Sequence, residues 1–323
     1  MQALRFHEFG KPLEVLRLEE LELPELREGE VRLKMLAAPV NPADLNLIEG
    51  TYGVKPPLPS VPGIEGCGEV VESASPDFSV GDQAIILRRA GSWASHVQVE
   101  AAHLFKLPRG IDPQQAAMLK VNPATAWQLL VSFVQLEPGA WVVQNAANSA
   151  VGRCVIALAK SLGLRTMNLV RRAEVKEELL ALGADEVLTD EDATVEAWKK
   201  HGPQPGLALN CVGGESALRL MNLLAPGGTH VTYGAMARRP LTIPNGLLIF
   251  KDLRFRGLWV TKWIENASRG EIREAYSRLA EMMWDGTISM PVDRGFSLEE
   301  FPEAIAALGA PERKGKILFL PSR

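Results

Sequence analysis

Residues 142–172 read VVQNAANSAVGRCVIALAKSLGLRTMNLVRR, the outline of a strand, a tight turn, a helix and a second strand. A helix that begins straight after a strand presents unpaired N–H groups and a positive dipole end, which suits a pyrophosphate. The usual fingerprint places three glycines there, for the turn, for phosphate approach and for helix–strand packing. Here Asn145, Asn148 and Ser149 fill the loop and only Gly152 remains. Gly152 suits the packing role, Ala147 and Ala150 are small, and Asn148 tolerates left-handed backbone angles. Asn148 and Ser149 also carry side chains able to bond a phosphate. The same pattern describes a plain βα turn with no ligand, and pattern alone does not separate the two. Arg171 and Arg172 close the second strand, about 20 residues on, where an NAD enzyme sets an acid against the ribose 2′-hydroxyl. A guanidinium there suits a 2′-phosphate, so NADPH is expected over NADH, against the plainer reading of two solvated arginines.

Elements must position this loop. Residues 1–119 read as short strands between turns: 30–41 (EVRLKMLAAPVN), 64–73 (IEGCGEVVES), 80–87 (VGDQAIIL) and 92–100 (SWASHVQVE). They alternate as half-buried strands do, and no helix of ordinary length is predicted before about residue 112. The rhythm then changes. WVVQ, RTMNLV, ADEVL, LALNCV and GGTHVTYG read as strands, with helices at AVGRCVIALAKSLG, EVKEELLALG and SALRLMNLL between them. Alternation of this kind implies parallel βαβ units and a doubly wound sheet. The run LLIFKDLRFRGLWV reads as a late, hydrophobic strand of that sheet. IREAYSRLAEMMWDG and SLEEFPEAIAALG read as amphipathic helices, and GKILFL as a last strand returning to the first domain.

Composition bounds the function. A chain of 323 residues favours two domains. A net charge of -4 and the lack of a basic stripe give no reason to expect nucleic acid or an anionic membrane. No apolar run approaches the roughly 18 residues of a membrane span. The first 15 residues show neither an apolar signal core nor a basic amphipathic leader, so a cytoplasmic location is expected. The three cysteines (Cys67, Cys154, Cys211) are widely spaced, which argues against a disulfide framework or a cysteine-rich zinc site.

The motifs PVNPADLNLIEGTYGVKPPLPSVPGIEGCGEVV, VNPATAW, VVQNAANSAVG, LVRR, LALNCVGG, VTYGAM and LLIFKDLRFRGLWV keep their order over nearly the whole chain. Together they resemble the zinc-free medium-chain dehydrogenase/reductases, and within them the enoyl-thioester reductases. The resemblance implies an α/β fold: a doubly wound parallel Rossmann sheet plus a GroES-like β-barrel catalytic domain. The expected boundaries are 1–119 (catalytic), 120–287 (NADP-binding) and 288–323 (catalytic, return segment), with the site in the cleft between them. The family's proton-donor tyrosine matches Tyr52 and its asparagine near the nicotinamide matches Asn122. The phosphate loop matches Asn148, Ser149, Ala150 and Val151, and the 2′-phosphate contacts match Arg171 and Arg172. Further cofactor contacts match Tyr233, Gly234, Ala235 and Met236, then Leu258, Trp259, Val260 and Thr261. Two departures stand out. Ala150 and Ala235 stand where relatives often have glycine. A C-terminal cofactor lysine falls on Gly315, flanked by Lys314 and Lys316.

The implied reaction is NADPH-dependent reduction of the 2,3-double bond of an enoyl thioester, carried by CoA or by acyl carrier protein. It needs a hydride at Cβ, stabilisation of the enolate oxygen and a proton at Cα. A phenol supplies the last two, and Tyr52 lies in a flexible context between Gly50 and Gly53. Standing alone it would read as an ordinary loop tyrosine. No metal is expected. Zinc relatives put cysteine where this chain has APVNPAD and histidine where it has Gly63-Ile64-Glu65, and Glu65 alone cannot supply the three ligands a catalytic zinc needs. Glu65 is instead read as a buried structural carboxylate. The alternatives are a quinone or activated-alkene reductase and, from another class, a non-catalytic nucleotide- or RNA-binding protein. A homodimer is expected, because the late hydrophobic strand leaves a sheet edge that invites pairing with its copy.

Overall fold

A computed structural model describes residues 1–310 and 312–322; Pro311 and Arg323, both within the expected return segment, lie outside the described residues. The chain forms two compact units, Met1–Val121 with Ile264–Arg323, and Asn122–Trp263.

The first unit opens with β1 (Gln2–Phe6), α1 (Pro12–Val15), β2 (Leu16–Glu20), β3 (Glu30–Pro39), α2 (Pro42–Ile48), β4 (Cys67–Ser73), β5 (Gln83–Ile86), β6 (His96–Glu100), β7 (Leu104–Lys106) and α3 (Pro113–Ala116). Strand β3 is its spine. Antiparallel β4 lies on one side of it, and β4 carries β5 and then β7. Period-two alternation buries Val31, Leu33 and Met35 while Lys34 stays exposed. The buried face meets Val70, Ala84, Ile86, Val97 and Val99 in one apolar cluster. Helix α2 was not foreseen. Pro42 opens it, and the Asp44 carboxylate accepts the Asn41 backbone N–H, as in a helix cap.

The second unit runs α4 (Asn122–Val131), β8 (Trp141–Gln144), α5 (Ala150–Ser161), β9 (Arg165–Val170), α6 (Lys176–Leu182), β10 (Glu186–Thr189), α7 (Asp192–His201), β11 (Leu207–Asn210), α8 (Gly214–Leu223), β12 (Thr229–Thr232), α9 (Asn245–Lys251), β13 (Arg254–Gly257) and α10 (Val260–Asn266). The last residues of α10 belong to the first unit. All six strands are parallel, in the order β10-β9-β8-β11-β12-β13. The chain moves outward from β8 in one direction and restarts at β11 in the other. Between β8 and β11 the order reverses, the switch point at which open α/β sheets bind ligands. The run at 247–260 corrects one expectation. Its first half closes helix α9, and only Arg254–Gly257 forms the edge strand β13. Asp252, at φ +49°, ends the helix in the left-handed region and separates the two.

The chain then returns through α11 (Arg269–Trp284), β14 (Val292–Phe296), α12 (Phe301–Ala307) and β15 (Lys316–Phe319). Strand β15, the GKILFL run, pairs with β3 of the first unit. The return comes earlier than residue 288. Helix α11 belongs to the first unit because its Tyr276 is fully buried there, donating to the Lys120 carbonyl at 3.0 Å beside the Phe105 ring.

Candidate cofactor and active site

Every residue of the second unit assigned to the cofactor by resemblance, Asn122 apart, follows the C-terminal end of a strand. Asn148, Ser149, Ala150 and Val151 follow β8, Arg171 and Arg172 follow β9, Tyr233 to Met236 follow β12, and Leu258 to Thr261 follow β13. A parallel sheet brings all these ends to one edge, so distant sequence positions converge there.

The loop after β8 is built as a helix start. The Ser149 hydroxyl accepts the Gly152 N–H at 3.1 Å and caps α5. Ala150 and Val151, the first two helical residues, have no carbonyl one turn back to receive their amides. The left-handed residue of the turn is Ala146, at φ +49°, and not Asn148, so Asn148 is exposed for its side chain rather than needed for its backbone. Asn145, inside the same loop, points away from any phosphate. It is buried, and its amide donates to Asn210 Oδ1 and Ser216 Oγ, both at 2.9 Å, while its oxygen accepts the Cys211 N–H at 2.8 Å. The loops after β8 and β11 are thereby tied across the switch point. The loop after β12 joins them, with Met236 N donating to Cys211 O at 3.0 Å and Ala237 N to Val212 O at 2.9 Å.

Two of the assigned residues carry buried polar atoms without a hydrogen-bond partner: Nδ2 of Asn122 and the hydroxyl of Tyr233. The Cys211 thiol and the Ser149 hydroxyl are the polar neighbours of that hydroxyl, and burial pushes the phenol well above its ordinary range. An orphaned buried donor is costly unless a ligand or water satisfies it. Donors at the switch point, a capped helix start and two exposed arginines after β9 together fit a phosphorylated dinucleotide.

In the first unit, α2 leads into the Tyr52 loop. Thr51 and Tyr52 both donate their N–H groups to the Asn46 carbonyl, at 2.9 and 3.0 Å. The Tyr52 ring packs against the cluster that holds Leu47, Ile48, Trp93 and Phe319. Beneath α2 lies a buried polar network. Asp44 and Glu65 are fully buried, and all four of their carboxylate oxygens accept a hydrogen bond, from Ile64 N, Asn41 N, Asn41 Nδ2 and Val121 N. Lys120 Nζ donates to Ile64 O at 2.6 Å, and Lys316 Nζ donates to Asn41 Oδ1. Burial raises both carboxyl groups, Asp44 to about 7, and lowers Lys120 to about 8.

Of this network only Glu65 was singled out from the sequence. Lys120 had a readable signal, a lone charge inside the run AAMLKVNPATAW. Asn41, Asp44 and Lys316 had none, since each is an ordinary polar residue until the fold buries it. The lysine left unassigned by the resemblance also gains a physical account. A side chain at Gly315 would collide with the Pro291 carbonyl, so position 315 cannot hold one. Lys316 turns inward to Asn41, while Lys314 is exposed. Among the described residues no group of three or more His, Cys, Asp or Glu is placed to hold a metal ion.

The chain matches the alcohol dehydrogenase GroES-like domain over residues 27–109 and the zinc-binding dehydrogenase family over residues 150–281. It is 42% identical to the mitochondrial enoyl-acyl-carrier-protein reductase of Rattus norvegicus, over 96% of this chain and 86% of that protein. The Arabidopsis thaliana protein of the same name is also 42% identical, over 98% of this chain and 87% of its own. Among solved structures, a complex of Etr1p with NADP and crotonyl-CoA matches with a TM-score of 0.89 at 30% identity, covering 99% of each chain. A candidate NADPH:quinone reductase from Bacillus thuringiensis matches with a TM-score of 0.91 at 27% identity, over 99% of this chain and 98% of that one. The enoyl reductase relatives are named as mitochondrial, so they lend no support to the cytoplasmic expectation. With the GroES-like and Rossmann units, the switch-point donors and relatives at this identity over almost its whole length, the chain belongs to the medium-chain dehydrogenase/reductase superfamily, among the enoyl-acyl-carrier-protein reductases.

Proposed function

We propose that this protein reduces the 2,3-double bond of trans-2-enoyl thioesters with NADPH. The observation that carries the reading is the switch-point edge of the six-stranded sheet. There a capped helix start, the unpartnered Tyr233 hydroxyl and the arginines after β9 gather in a chain 42% identical to enoyl reductases. When bound, NADPH supplies a hydride to Cβ of the acyl chain.

The chain's own groups do the rest. Ser149, Asn148 and the amides of Ala150 and Val151 hold the pyrophosphate, and Arg171 and Arg172 bind the 2′-phosphate. Residues 233–236 and 258–261 would make further contacts with the cofactor, and the Asn122 amide would lie near its nicotinamide. Tyr52 donates a hydrogen bond to the thioester oxygen as negative charge develops there, and passes a proton, directly or through water, to Cα. The substrate thioester is carried by CoA or by acyl carrier protein.

The proposal includes a homodimer. Strand β13 is a sheet edge, and next to it Ile249 and Phe250 are 70% and 84% exposed, apolar surface that a second copy would cover. A cytoplasmic location is also part of the proposal. Cell fractionation tests it. Among the described residues no helix is long and apolar enough to cross a membrane.

The deciding experiment follows NADPH oxidation with crotonyl-CoA, longer 2-enoyl-CoAs and a quinone in parallel. Turnover of the thioesters above the quinone supports the reading. Turnover of the quinone alone would instead favour the second reading, which the Bacillus thuringiensis likeness recommends.

A further inference from the structure

Helix α2 is only seven residues long, far shorter than a helix that is stable alone, so its direction depends on its anchors. At one end Leu47 and Ile48 are buried in the apolar cluster. At the other, Asp44 Oδ1 accepts the Ile64 N–H at 2.8 Å, and further anchors meet at Asn41 and Glu65. Asn41 donates its backbone N–H to Asp44 Oδ2 at 2.9 Å and its amide to Glu65 Oε1 at 2.9 Å, and its oxygen accepts Lys316 Nζ. The second oxygen of Glu65 accepts the Val121 N–H at 2.8 Å, and its carbonyl accepts the Ser92 hydroxyl at 2.5 Å. Glu65 thus fastens the start of α2 to the chain at 92 and 121. The far end of α2 presents the Asn46 carbonyl that holds the amides of Thr51 and Tyr52.

Stability alone gives no reason for such a carboxylate. Buried ionic groups cost several kcal/mol to desolvate, and well-packed apolar replacements are often neutral or stabilising. What a fully hydrogen-bonded carboxylate does supply is a fixed direction, because both oxygens are committed to partners on different segments.

We propose that Glu65 is a positioning residue for Tyr52, acting through Asn41 and α2. The proposal rests on the reading of Tyr52 as the acid. Glu65 touches no substrate. It sets the direction of the short helix whose last turn accepts the backbone N–H of the acid.

The test is a double-mutant cycle with a structural readout beside it. Glu65→Gln keeps the size and one acceptor oxygen but loses the charge and one of the two anchors. With crotonyl-CoA it should lower kcat about tenfold in the otherwise native protein. In a Tyr52→Phe background the same change should cost less than about twofold, since the group it positions is already gone. Amide hydrogen exchange at Thr51 and Tyr52 should speed up about tenfold, reporting the loosened turn without any turnover. Equal losses in the two backgrounds, or unchanged exchange at both amides, would overturn the proposal. If Glu65→Gln does not fold, Asn41→Ala cuts the link to α2 while leaving the Glu65–Val121 bond, and the same outcomes apply. A protein that reduces no thioester would sink the reading of Tyr52 as acid, and the exchange measurement would still decide whether Glu65 holds its loop.

Discussion

Gly152 and Ala147 face each other so closely that a Cβ on the glycine would lie 2.5 Å from the alanine carbonyl oxygen. The single glycine left in the loop therefore performs the packing role of the usual three, drawing the start of α5 onto the turn after β8. Gly152→Ala should push the loop and the helix start apart. A loss of about 1–3 kcal/mol is expected, with weaker NADPH binding, because overpacking against backbone has no flexible side chain to yield. Denaturant unfolding and an NADPH titration measure both; an unchanged pair of values would mean that the loop gives way freely.

Arg171 and Arg172 are exposed after β9, where only a 2′-phosphate would distinguish the two nicotinamide cofactors. Replacing both with Ala should cut kcat/KM for NADPH by about 10²–10⁴-fold and leave NADH within a few-fold, at roughly 1.5–3 kcal/mol for each of two charge-assisted bonds. Equal losses with both cofactors would place the arginines outside recognition.

Tyr52→Phe deletes one hydroxyl and keeps a ring that packs on the apolar cluster. Thermal midpoint and NADPH affinity should change little, while kcat for an enoyl thioester falls about 10²–10⁴-fold. A change confined to KM would make Tyr52 a binding contact and not the acid. Quinone reduction, which needs no proton at carbon, should survive the substitution.

His230 sits fully buried on β12, its ring beside Phe255 at 5.5 Å, with neither ring nitrogen hydrogen-bonded. Burial pushes its pKa down to about 4. A depressed folded pKa means that the unfolded chain binds the extra proton first. This contribution to stability is present above about pH 6.5 and is lost as pH falls toward 4. The full loss is on the order of 3 kcal/mol. His230→Phe should flatten that part of the pH profile and raise the midpoint at pH 5. Denaturant midpoints of both proteins at pH 5 and pH 8 check it, and parallel slopes would show that another group dominates.

Phe250 is 84% exposed beside the edge strand, an apolar group that a lone chain has no reason to offer to water. The native protein should scatter light as a dimer at micromolar concentration, and Phe250→Asp with Ile249→Lys should shift it toward monomer. A native monomer, or a variant that stays dimeric, would remove this surface from the interface.

The sequence determined the classes of element and most of their places. Helix periodicity after Pro123, strand alternation before it, and arginines where a cofactor-selecting acid would stand are local facts, legible because each depends on neighbours a few residues away. The GKILFL strand was legible for the same reason, but its partners β3 and β14 were not, since pairing joins distant segments. What local pattern could not supply was decided by tertiary structure. Seven residues at 245–251 became a helix although their apolar run reads as strand, because a short run fits either period and packing chooses. Ala146 rather than Asn148 took the left-handed turn because the tie from Asn145 to Asn210 and Ser216 fixes the chain just before it. Glu65 was legible as a buried carboxylate but not as the centre of a network. Its partners at 41 and 121, and the lysine at 316 that bonds Asn41, come from three distant segments, and nothing nearer than the folded chain brings them within 3 Å of one another.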